Sequence, residues 1–294
     1  MTPQQELFTA AHILREKGRT KSDDYRFMIP REKGQWLPVT WGEFFENTSL
    51  FALILSHLGI GFDQKVSIFA DTRVEWAYAG IALQFCRGVF VPVYSSLTPS
   101  QVKYIVNHSD SEIIITETER LATILAIWKE IEHVKKIILF DSPDEQTLGS
   151  LVDTFNTDHN QNLKLSDVQD KILTLNNVYS IGRCLRDKAP HLIDKLAEDI
   201  QRQDVSAILY TSGTTGDPKG VVLTHENLYR NAEDWLTVLS PYMPDEKVDL
   251  LWLPTSHIYG WGELVLAMPL TLLPTLPIPS MFSVLCLRSS PLYL

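Results

Sequence analysis

A loop rich in glycines and hydroxyls separates two apolar segments in the last third of the chain. It covers residues 210–220 and reads Tyr-Thr-Ser-Gly-Thr-Thr-Gly-Asp-Pro-Lys-Gly. Glycines let the backbone approach an anion closely, hydroxyls add hydrogen-bond donors, and the lysine adds a positive charge. The flanking residues 205–210 and 221–224 are apolar and typical of strands. The loop therefore predicts a phosphate cradle between two strands, with ATP as the natural ligand.

This loop differs from the common P-loop, in which glycine precedes the lysine and serine or threonine follows it. Here Pro218 precedes Lys219, and Gly220 follows it. A strand rather than a helix is predicted to leave the loop, so no helix N-terminus can hold the phosphate. Loop amides, hydroxyls and Lys219 would hold it instead. The pattern argues against P-loop kinases and GTPases, although Lys219 alone is also compatible with a solvated surface lysine.

The order of residues 210–220 resembles the phosphate-binding signature of the adenylate-forming enzymes, which include acyl-CoA synthetases, luciferases and the adenylation domains of peptide synthetases. A surface turn would explain one or two of the glycines but not this order. Residues 40–261 are also similar in order and spacing to the large N-terminal domain of that family, especially its fatty acyl-CoA synthetase branch. The resemblance implies an α/β fold rich in βαβ units, incomplete and without the family's small C-terminal domain.

The apolar pattern alternates between strands and helices along the chain, which predicts a mostly parallel sheet. Two capping boxes, Thr40 with Glu43 and Thr98 with Gln101, mark helix starts. The predicted helices cover residues 41–58, 74–86, 99–108, 121–130, 185–203 and 225–239, and the predicted strands cover 65–70, 89–93, 112–116, 136–140, 205–210, 221–224 and 248–253. Residues 141–177 show no strong period, so we interpret them as a polar surface insertion.

The resemblance implies which groups of the loop contact ATP. They are the hydroxyls of Thr211, Ser212, Thr214 and Thr215, the ammonium group of Lys219, and the backbones of Gly213, Gly216 and Gly220. In the family such a loop holds the β- and γ-phosphates while a carboxylate attacks the α-phosphorus, and a thiol then takes the acyl group. Lys219 and Mg²⁺ would share the charge of the leaving pyrophosphate. Thr211 is the first candidate for a Mg²⁺ contact, although the sequence does not select one threonine.

A second motif, Leu-Pro-Thr-Ser-His-Ile-Tyr-Gly-Trp at residues 253–261, resembles the family's substrate motif. A lone histidine after a strand is more often structural. Its place after a matching phosphate loop favours His257 as the catalytic residue beside the substrate carboxylate and the adenylate. Trp261 stands where some long-chain acyl-CoA synthetases carry an aromatic gate over the fatty-acid tunnel. Trp261 can equally pack on the domain between two glycines, and both interpretations stay open.

The charge of the chain bears on its partners. The formal net charge is -10 over 294 residues, which disfavours nucleic-acid binding because phosphate backbones favour clustered lysine and arginine.

The cysteines and the N-terminal residues bear on the location of the protein. The cysteines are widely spaced and indicate neither a zinc site nor a disulfide framework, and residues 1–10 lack a signal-peptide pattern. We expect a cytoplasmic protein. The resemblance adds a long-chain fatty acid, ATP and CoA as partners, and association with a membrane surface and the oligomeric state stay open.

The chain departs from the family pattern after Trp261. Residues 264–287 contain no charged side chain but several prolines, which disfavour a membrane span, and the end at 281–294 suits neither a helix nor a strand well. We expect an N-terminal extension at 1–39 that packs on the domain, a partial AMP-binding domain at 40–269, and an atypical tail at 270–294 that is disordered or comes from a shifted reading frame. The family's downstream acidic Mg²⁺ motif, ribose-binding aspartate, hinge and C-terminal lysine are not found. The chain is therefore expected to be truncated and nearly inactive.

Three functions remain compatible with these residues. The first is a ligase of the fatty acid CoA type, the second a ligase that passes the acyl group to a carrier-protein thiol, and the third a non-catalytic nucleotide-binding fragment. The first two share the adenylation step, so the phosphate loop cannot separate them. The acyl chain length cannot be inferred, because an apolar tunnel is built from many distant side chains.

Overall fold

The computed structural model describes residues 9–30, 35–211, 217–242, 248–250, 253–270 and 273–275. Helices and strands alternate along most of this range, as βαβ units require. The helices are α1 (Ala10–Thr20), α2 (Trp41–His57), α3 (Val74–Phe85), α4 (Pro99–His108), α5 (Leu121–Ala126), α6 (Glu145–His159), α7 (Leu165–Lys171), α8 (Leu175–Lys188), α9 (Leu192–Asp199), α10 (His225–Leu239) and α11 (Ile258–Leu270). The strands are β1 (Tyr25–Pro30), β2 (Trp36–Thr40), β3 (Lys65–Phe69), β4 (Val89–Val93), β5 (Ile113–Thr116), β6 (Lys136–Leu139), β7 (Ile172–Leu173), β8 (Val205–Thr211), β9 (Lys219–Thr224), β10 (Val248–Leu250) and β11 (Leu273–Thr275).

The main sheet has seven strands in the order β7-β6-β5-β3-β4-β8-β9. Its neighbours are parallel except for β8 and β9, which form an antiparallel pair. The chain lays β4 on one side of β3 and then returns to lay β5 on the other side, so the strand order reverses between β3 and β4. In open α/β sheets such a reversal leaves a crevice at the carboxyl ends of the strands, where ligands bind.

Helices cover both faces of this sheet, and alternate side chains of the buried strands supply two hydrophobic cores. In β5, Ile113 and Ile115 belong to one core and Ile114 belongs to the other. The first core includes residues of α1, α2, α3 and α11, and the second includes residues of α4, α5, α6 and α7. Cover on both faces explains why these strands are continuous apolar runs instead of alternating ones.

The predicted α/β fold is confirmed, and so are both capping boxes. The hydroxyl of Thr40 accepts the amide of Glu43 at 3.1 Å, and the Glu43 carboxylate accepts the amide of Thr40 at 2.9 Å. The same reciprocal arrangement joins Thr98 and Gln101 at the start of α4. These local interactions fix the helix starts within a residue of the predicted positions.

Residues 141–177, interpreted from the sequence as a polar surface insertion without a strong period, contain regular structure. The segment forms α6, α7, the edge strand β7 and the beginning of α8. The carboxylate of Asp144 caps α6 by accepting the amide of Thr147 at 2.8 Å, and Leu148 and Val152 are buried beneath the helix. The apolar face of α6 is narrow and its remaining surface is polar, so the sequence shows no strong helical period there.

The prediction of one helix over residues 185–203 is wrong. The region contains the end of α8 and the whole of α9, with a break that includes Pro190. Proline lacks the amide hydrogen that a helix interior needs, and it disfavours helical backbone in the residue before it. The predicted helix at 121–130 is shorter as well, because α5 is followed by a 3₁₀ turn at Trp128–Glu130.

A second sheet has four strands in the order β10-β11-β1-β2. β1 and β2 come from the predicted N-terminal extension, whereas β11 falls in the predicted tail, whose residues from 276 onward lie outside the described residues. α1 buries Ala11 and Leu14 in the first core. No helix in the described ranges combines the length and apolarity that a bilayer crossing requires.

Candidate functional site

The β8–β9 hairpin presents the ends of the predicted phosphate loop at one edge of the main sheet. β8 runs parallel to β4, and the antiparallel register with β9 places Thr211 opposite Lys219. The side chains of Thr211 and Lys219 are exposed. Ser212, Gly213, Thr214, Thr215 and Gly216 lie outside the described residues. The hairpin thus supplies one hydroxyl and one ammonium group at the base of the loop.

Gly220 is required by packing inside the hairpin. A Cβ at this position would lie 2.8 Å from Cγ2 of Ile208 and 3.4 Å from Cζ of Tyr210. Real Cβ atoms do not approach a side chain as closely as the first of these distances, so a larger residue would displace Ile208. The glycine lets β9 lie flat against β8, which keeps Lys219 in register with Thr211.

Tyr210 anchors the strand that enters the loop. Its hydroxyl is hydrogen-bonded to Nδ1 of His108 at 2.7 Å, and its ring meets the ring of Tyr104 edge-on at 6.4 Å. Burial raises the pKa of Tyr210 to about 12, so the phenol keeps its proton at neutral pH. Tyr210 is therefore a packed aromatic at the end of β8. The sequence does not predict its pairing with His108, because His108 precedes Tyr210 by a long stretch of chain.

The second motif forms a tight turn that leads into α11. The amide of His257 donates to the carbonyl of Pro254 at 2.9 Å, and the amide of Trp261 donates to the carbonyl of His257 at 2.9 Å. A Cβ on Gly260 would lie only 2.2 Å from the Pro254 carbonyl oxygen, so this position excludes every other residue type without rearrangement. The turn is joined to the end of β3 because the amide of Thr255 donates to the hydroxyl of Thr72 at 3.1 Å.

The ring of His257 is oriented by its neighbours. The amide of Tyr259 donates to Nδ1 at 3.2 Å, and the Tyr259 ring stacks on the imidazole at 5.5 Å with 9° between the planes. The ring centroid of Tyr94, which follows β4, lies 6.3 Å from that of His257. Since Nδ1 accepts a hydrogen bond, the neutral imidazole carries its proton on Nε2. The ring therefore offers an N–H donor suited to a carboxylate or phosphate oxygen.

The two motifs meet at the carboxyl edge of the parallel sheet. Thr72 follows β3, Tyr94 follows β4 and Thr211 ends β8, and these three strands are consecutive neighbours. The contacts to Thr72 and Tyr94 hold the His257 turn over β3 and β4, beside the hairpin that begins at β8. This is the crevice where the strand order reverses. The structure thus brings His257 and the base of the phosphate loop to one edge.

An ion-pair network that the sequence did not predict occupies the rest of this edge. We call Asp71, Arg73, Glu75, Glu117, Arg120 and Asp141 the edge network. Arg73 is its centre, 2.8 Å from the carboxylate of Glu75 and 2.9 Å from that of Asp141. Burial raises the pKa of Glu117, whereas the amide of Thr118 and the guanidinium of Arg73 outweigh burial and hold the pKa of Asp141 below its usual range.

Trp261 is packed in the first core. Its exposed fraction is 1%, and its ring lies 5.1 Å from the ring of Phe90 and 5.5 Å from that of Trp76. Neither the indole nitrogen of Trp261 nor that of Trp76 has a hydrogen-bond partner among the described residues. We call Trp76, Gly80 and Phe90 the Trp261 socket.

The described residues offer little to a metal ion on their own. They contain no group of three histidine, cysteine, aspartate or glutamate side chains that could hold one. Thr211 provides one neutral oxygen at the loop. Mg²⁺ commonly keeps waters and takes substrate phosphate oxygens as ligands, so these residues fit an ion that is bound chiefly by a nucleotide and not by a protein cage.

Fold and site together define an α/β protein with a hairpin that carries a glycine- and hydroxyl-rich loop, and a histidine turn, at the carboxyl edge of a doubly wound sheet. Residues 14–271 match the AMP-binding enzyme family, and the chain belongs to that family. The architecture is that of the N-terminal domain of adenylate-forming ligases.

Solved structures support the fold. The anthranilate CoA ligase AuaEII, in complex with anthranoyl-AMP, matches with a TM-score of 0.72 at 17% identity, covering 92% of this chain and 45% of that chain. The N-terminal domain of FACL13 from Mycobacterium tuberculosis matches with a TM-score of 0.62 at 19% identity, covering 92% of this chain and 57% of that chain. These identities are low, so the similarity concerns the fold alone.

Curated relatives are long-chain fatty acid ligases. Long-chain-fatty-acid--CoA ligase 5 of Rattus norvegicus is 30% identical over 234 residues, which is 78% of this chain and 31% of the relative. The peroxisomal long chain acyl-CoA synthetase 6 of Arabidopsis thaliana is 29% identical over 83% of this chain and 32% of the relative. The chain thus spans about a third of the length of these relatives.

Proposed function

We propose that this chain carries the ATP- and acid-binding edge of a long-chain fatty acid CoA ligase. The observation that carries the proposal is the meeting of the loop strand β8 with the His257 turn at the sheet reversal. A nucleotide phosphate and a substrate carboxylate must be adjacent for adenylation, and two anion-binding elements at one edge favour that arrangement. The names of the curated relatives supply the substrate class.

In the proposed reaction a carboxylate oxygen of the fatty acid forms a bond to the α-phosphorus of ATP. The bond from that phosphorus to the bridging oxygen of the β-phosphate breaks, and pyrophosphate leaves with its electron pair. In the second step the thiol sulfur of CoA forms a bond to the acyl carbon, the bond from that carbon to the phosphate oxygen of AMP breaks with its electron pair leaving on AMP, and the thiol proton goes to solvent. The alternative acceptor of the acyl group is the thiol of a carrier protein, which would use the same edge for the first step. CoA is the acceptor that we propose.

Each proposed residue acts through charge or hydrogen bonding. Lys219 and the loop hydroxyls neutralise the β- and γ-phosphates, including the charge that grows on the leaving pyrophosphate. Thr211, Ser212, Thr214 and Thr215 supply the hydroxyls, and Gly213, Gly216 and Gly220 the close backbone. Mg²⁺ would arrive with ATP and add Lewis acidity, with Thr211 as its proposed protein ligand.

His257 is the proposed catalytic residue. Its Nε2–H would donate to the substrate carboxylate, orient the attacking oxygen, and then bind the acyl-adenylate. The hydrogen bond from the Tyr259 amide to Nδ1 supports this role because it selects the tautomer that donates from Nε2. Trp261 is proposed as the gate of the acyl channel, and its complete burial in the socket fits a closed position as well as simple packing.

We also propose that these 294 residues alone form little acyl-adenylate, because the family's remaining motifs are not found in the sequence. Pyrophosphate exchange into ATP, driven by a long-chain fatty acid, tests the inactivity. Exchange at a rate typical of a full ligase would contradict it. The proposal also includes a division into an N-terminal extension at 1–39, an AMP-binding domain at 40–269 and an atypical tail at 270–294, and a cytoplasmic location with or without attachment to a membrane surface.

Nucleotide binding tests the site itself. Calorimetric titration with ATP and Mg²⁺ should give measurable heat with the native chain, and Lys219→Ala should weaken binding about tenfold. Lys195→Ala is the matched control, since Lys195 is also exposed but lies on α9, outside the β8–β9 hairpin. Equal binding by both variants would remove Lys219 from the site. Binding of ATP without any binding of fatty acid would favour the non-catalytic nucleotide-binding alternative.

A further inference from the structure

Gly80 sits in the middle of α3, where a glycine needs an explanation. It is followed by Ile81, Ala82 and Leu83, all of them buried, and glycine is a poor helix former compared with these neighbours. Its backbone does not adopt a left-handed conformation. Neither helix propensity nor backbone geometry accounts for a glycine here, which leaves the space beside it as the reason.

That space is filled by the indole of Trp261. A Cβ on Gly80 would lie 2.8 Å from Cη2 and 2.9 Å from Cζ3 of Trp261, while Trp76 would be 3.6 Å away. The first two distances are closer than Cβ atoms come to aromatic carbons, so even alanine would push the indole out of its present position. Trp76 and Phe90 bound the remaining sides of the socket.

Packing alone holds the indole in the socket. The Nε1 atom of Trp261 is buried and has no hydrogen-bond partner among the described residues, and the same is true of Trp76. An indole N–H that leaves such a site gains a hydrogen bond to water or to a polar neighbour. The inserted position of the indole therefore competes with a hydrated position, and the contact with Gly80 contributes to the free-energy difference between the two positions.

We infer that Gly80 is a positioning residue for Trp261: the absent side chain sets how deeply the indole inserts, and thereby how far the acyl channel is closed. The inference rests on the proposed function, in which Trp261 gates that channel. Under this inference, α3 controls which acids enter the channel, because it contacts the end of the indole that lies away from the His257 turn. Gly80→Ala should shift Trp261 toward the withdrawn position.

The first experiment observes the indole directly. The chain is labelled with 5-fluorotryptophan, and the ¹⁹F resonance of Trp261 is assigned from its disappearance in Trp261→Phe. Gly80→Ala should move the Trp261 and Trp76 resonances and give Trp261 a solvent isotope shift in D₂O. Gly149→Ala is the matched control, because Gly149 also lies inside a helix but its Cβ would be 3.7 Å from Leu165, an ordinary contact. An unchanged Trp261 resonance in Gly80→Ala would overturn the inference.

A second experiment, in the Trp261→Phe background, distinguishes an effect on Trp261 from a general loss of stability. Phenylalanine lacks the outer indole ring that meets position 80, so Gly80→Ala should lower the melting temperature clearly in the native chain and much less in Trp261→Phe. An equal decrease in both backgrounds would show that position 80 does not act through Trp261.

Access to the channel is measured by the association rate of parinaric acid, a fluorescent C18 fatty acid. Gly80→Ala should raise that rate by at least about threefold, and should have no effect once Trp261→Phe has removed the gate. A displaced indole with an unchanged rate would overturn the link between depth and access. If the native chain binds no parinaric acid, the proposed function fails, whereas the ¹⁹F shift still decides whether Gly80 positions Trp261.

Discussion

On the β3–β5–β6 side of the carboxyl edge the charged side chains bind one another, whereas on the β8–β9 side Lys219 pairs with no described carboxylate. The edge network joins residues that follow three different strands. The guanidinium of Arg73 by itself contacts three carboxylates, those of Glu75, Glu117 and Asp141. Lys219 and Thr211 face solvent. The charges of the first side pair with one another across three strand ends, whereas the ammonium group of Lys219 on the second side stays accessible to the ligand proposed above. Rigid and open parts of one edge are thus separated by the crevice that holds His257.

The largest expected effect comes from breaking the edge network at its centre. Arg73→Met leaves the carboxylates of Glu117 and Asp141 partly buried without their shared cation, which should lower the free energy of unfolding by about 2–3 kcal/mol. Urea denaturation measures this. Arg230→Met is the control, because Arg230 also forms two ion pairs but on the exposed surface of α10, and its loss should be much smaller. Similar losses would show that the network is not a structural centre.

The second prediction concerns the turn that carries His257. Gly260→Ala should lower the free energy of unfolding by about 1–2 kcal/mol, since its Cβ would strike the carbonyl of Pro254. Gly262→Ala is the control two residues later in α11, where a Cβ meets nothing within 4 Å and alanine should be neutral or stabilising. Thermal melting of the two variants separates them. Equal melting temperatures would mean that the turn yields more readily than its contacts indicate.

The third prediction is a pH dependence of the rigid side. The folded pKa of Asp141 lies below its usual value of 3.8, so its ionised form stabilises the fold above that pH, and the stabilisation disappears as the pH falls through the folded pKa. Glu117, with a pKa raised above 4.5, acts in the opposite sense, since its ionisation costs stability as the pH rises.

Asp141→Asn should therefore cost about 1 kcal/mol at neutral pH and progressively less below about pH 4. Denaturation curves at several pH values give the difference between the variant and the native chain. Asp153→Asn, at an exposed position of α6, serves as the control. A difference that stays constant with pH would contradict the predicted ionisation.

The smallest expected change in stability is at the open side. Lys219→Ala should leave the free energy of unfolding within about 0.5 kcal/mol of the native value, because an exposed side chain without a described partner loses no contact. Together with the weaker ATP binding predicted for this variant, that outcome would separate ligand binding from structure at one residue. A large loss of stability would place Lys219 among the structural residues instead.

Local sequence patterns predicted the parts of this fold that depend on local interactions. The boxes at Thr40 and Thr98 involve groups three residues apart, and they located two helix starts. Local signals of the same kind also lie where the predicted elements differ from the structure. Asp144 caps α6, Thr174 with Asn177 caps α8, and Pro190 marks the break before α9. The polar composition of these segments obscures their capping residues and the proline.

The remaining parts depend on contacts between distant segments. The bond between His108 and Tyr210, and the edge network formed after β3, β5 and β6, require the strand order of the sheet, which no local pattern contains. The motifs of the site were readable because they are contiguous in sequence. Their supports were not, since Thr72 and Tyr94 reach the His257 turn only after the sheet has formed.

The hydrogen bond from the amide of Trp261 to the carbonyl of His257 places both residues on one helical turn. A displacement of α11 would carry the imidazole along with the indole and disturb the alignment of any bound carboxylate. Under the proposed function, in which Trp261 gates the acyl channel and His257 orients the carboxylate, admission of a fatty acid without loss of that alignment requires the Trp261 side chain to rotate about its own bonds while the backbone stays in place. Exchange of acids and geometry of reaction would then be adjusted separately by substitution.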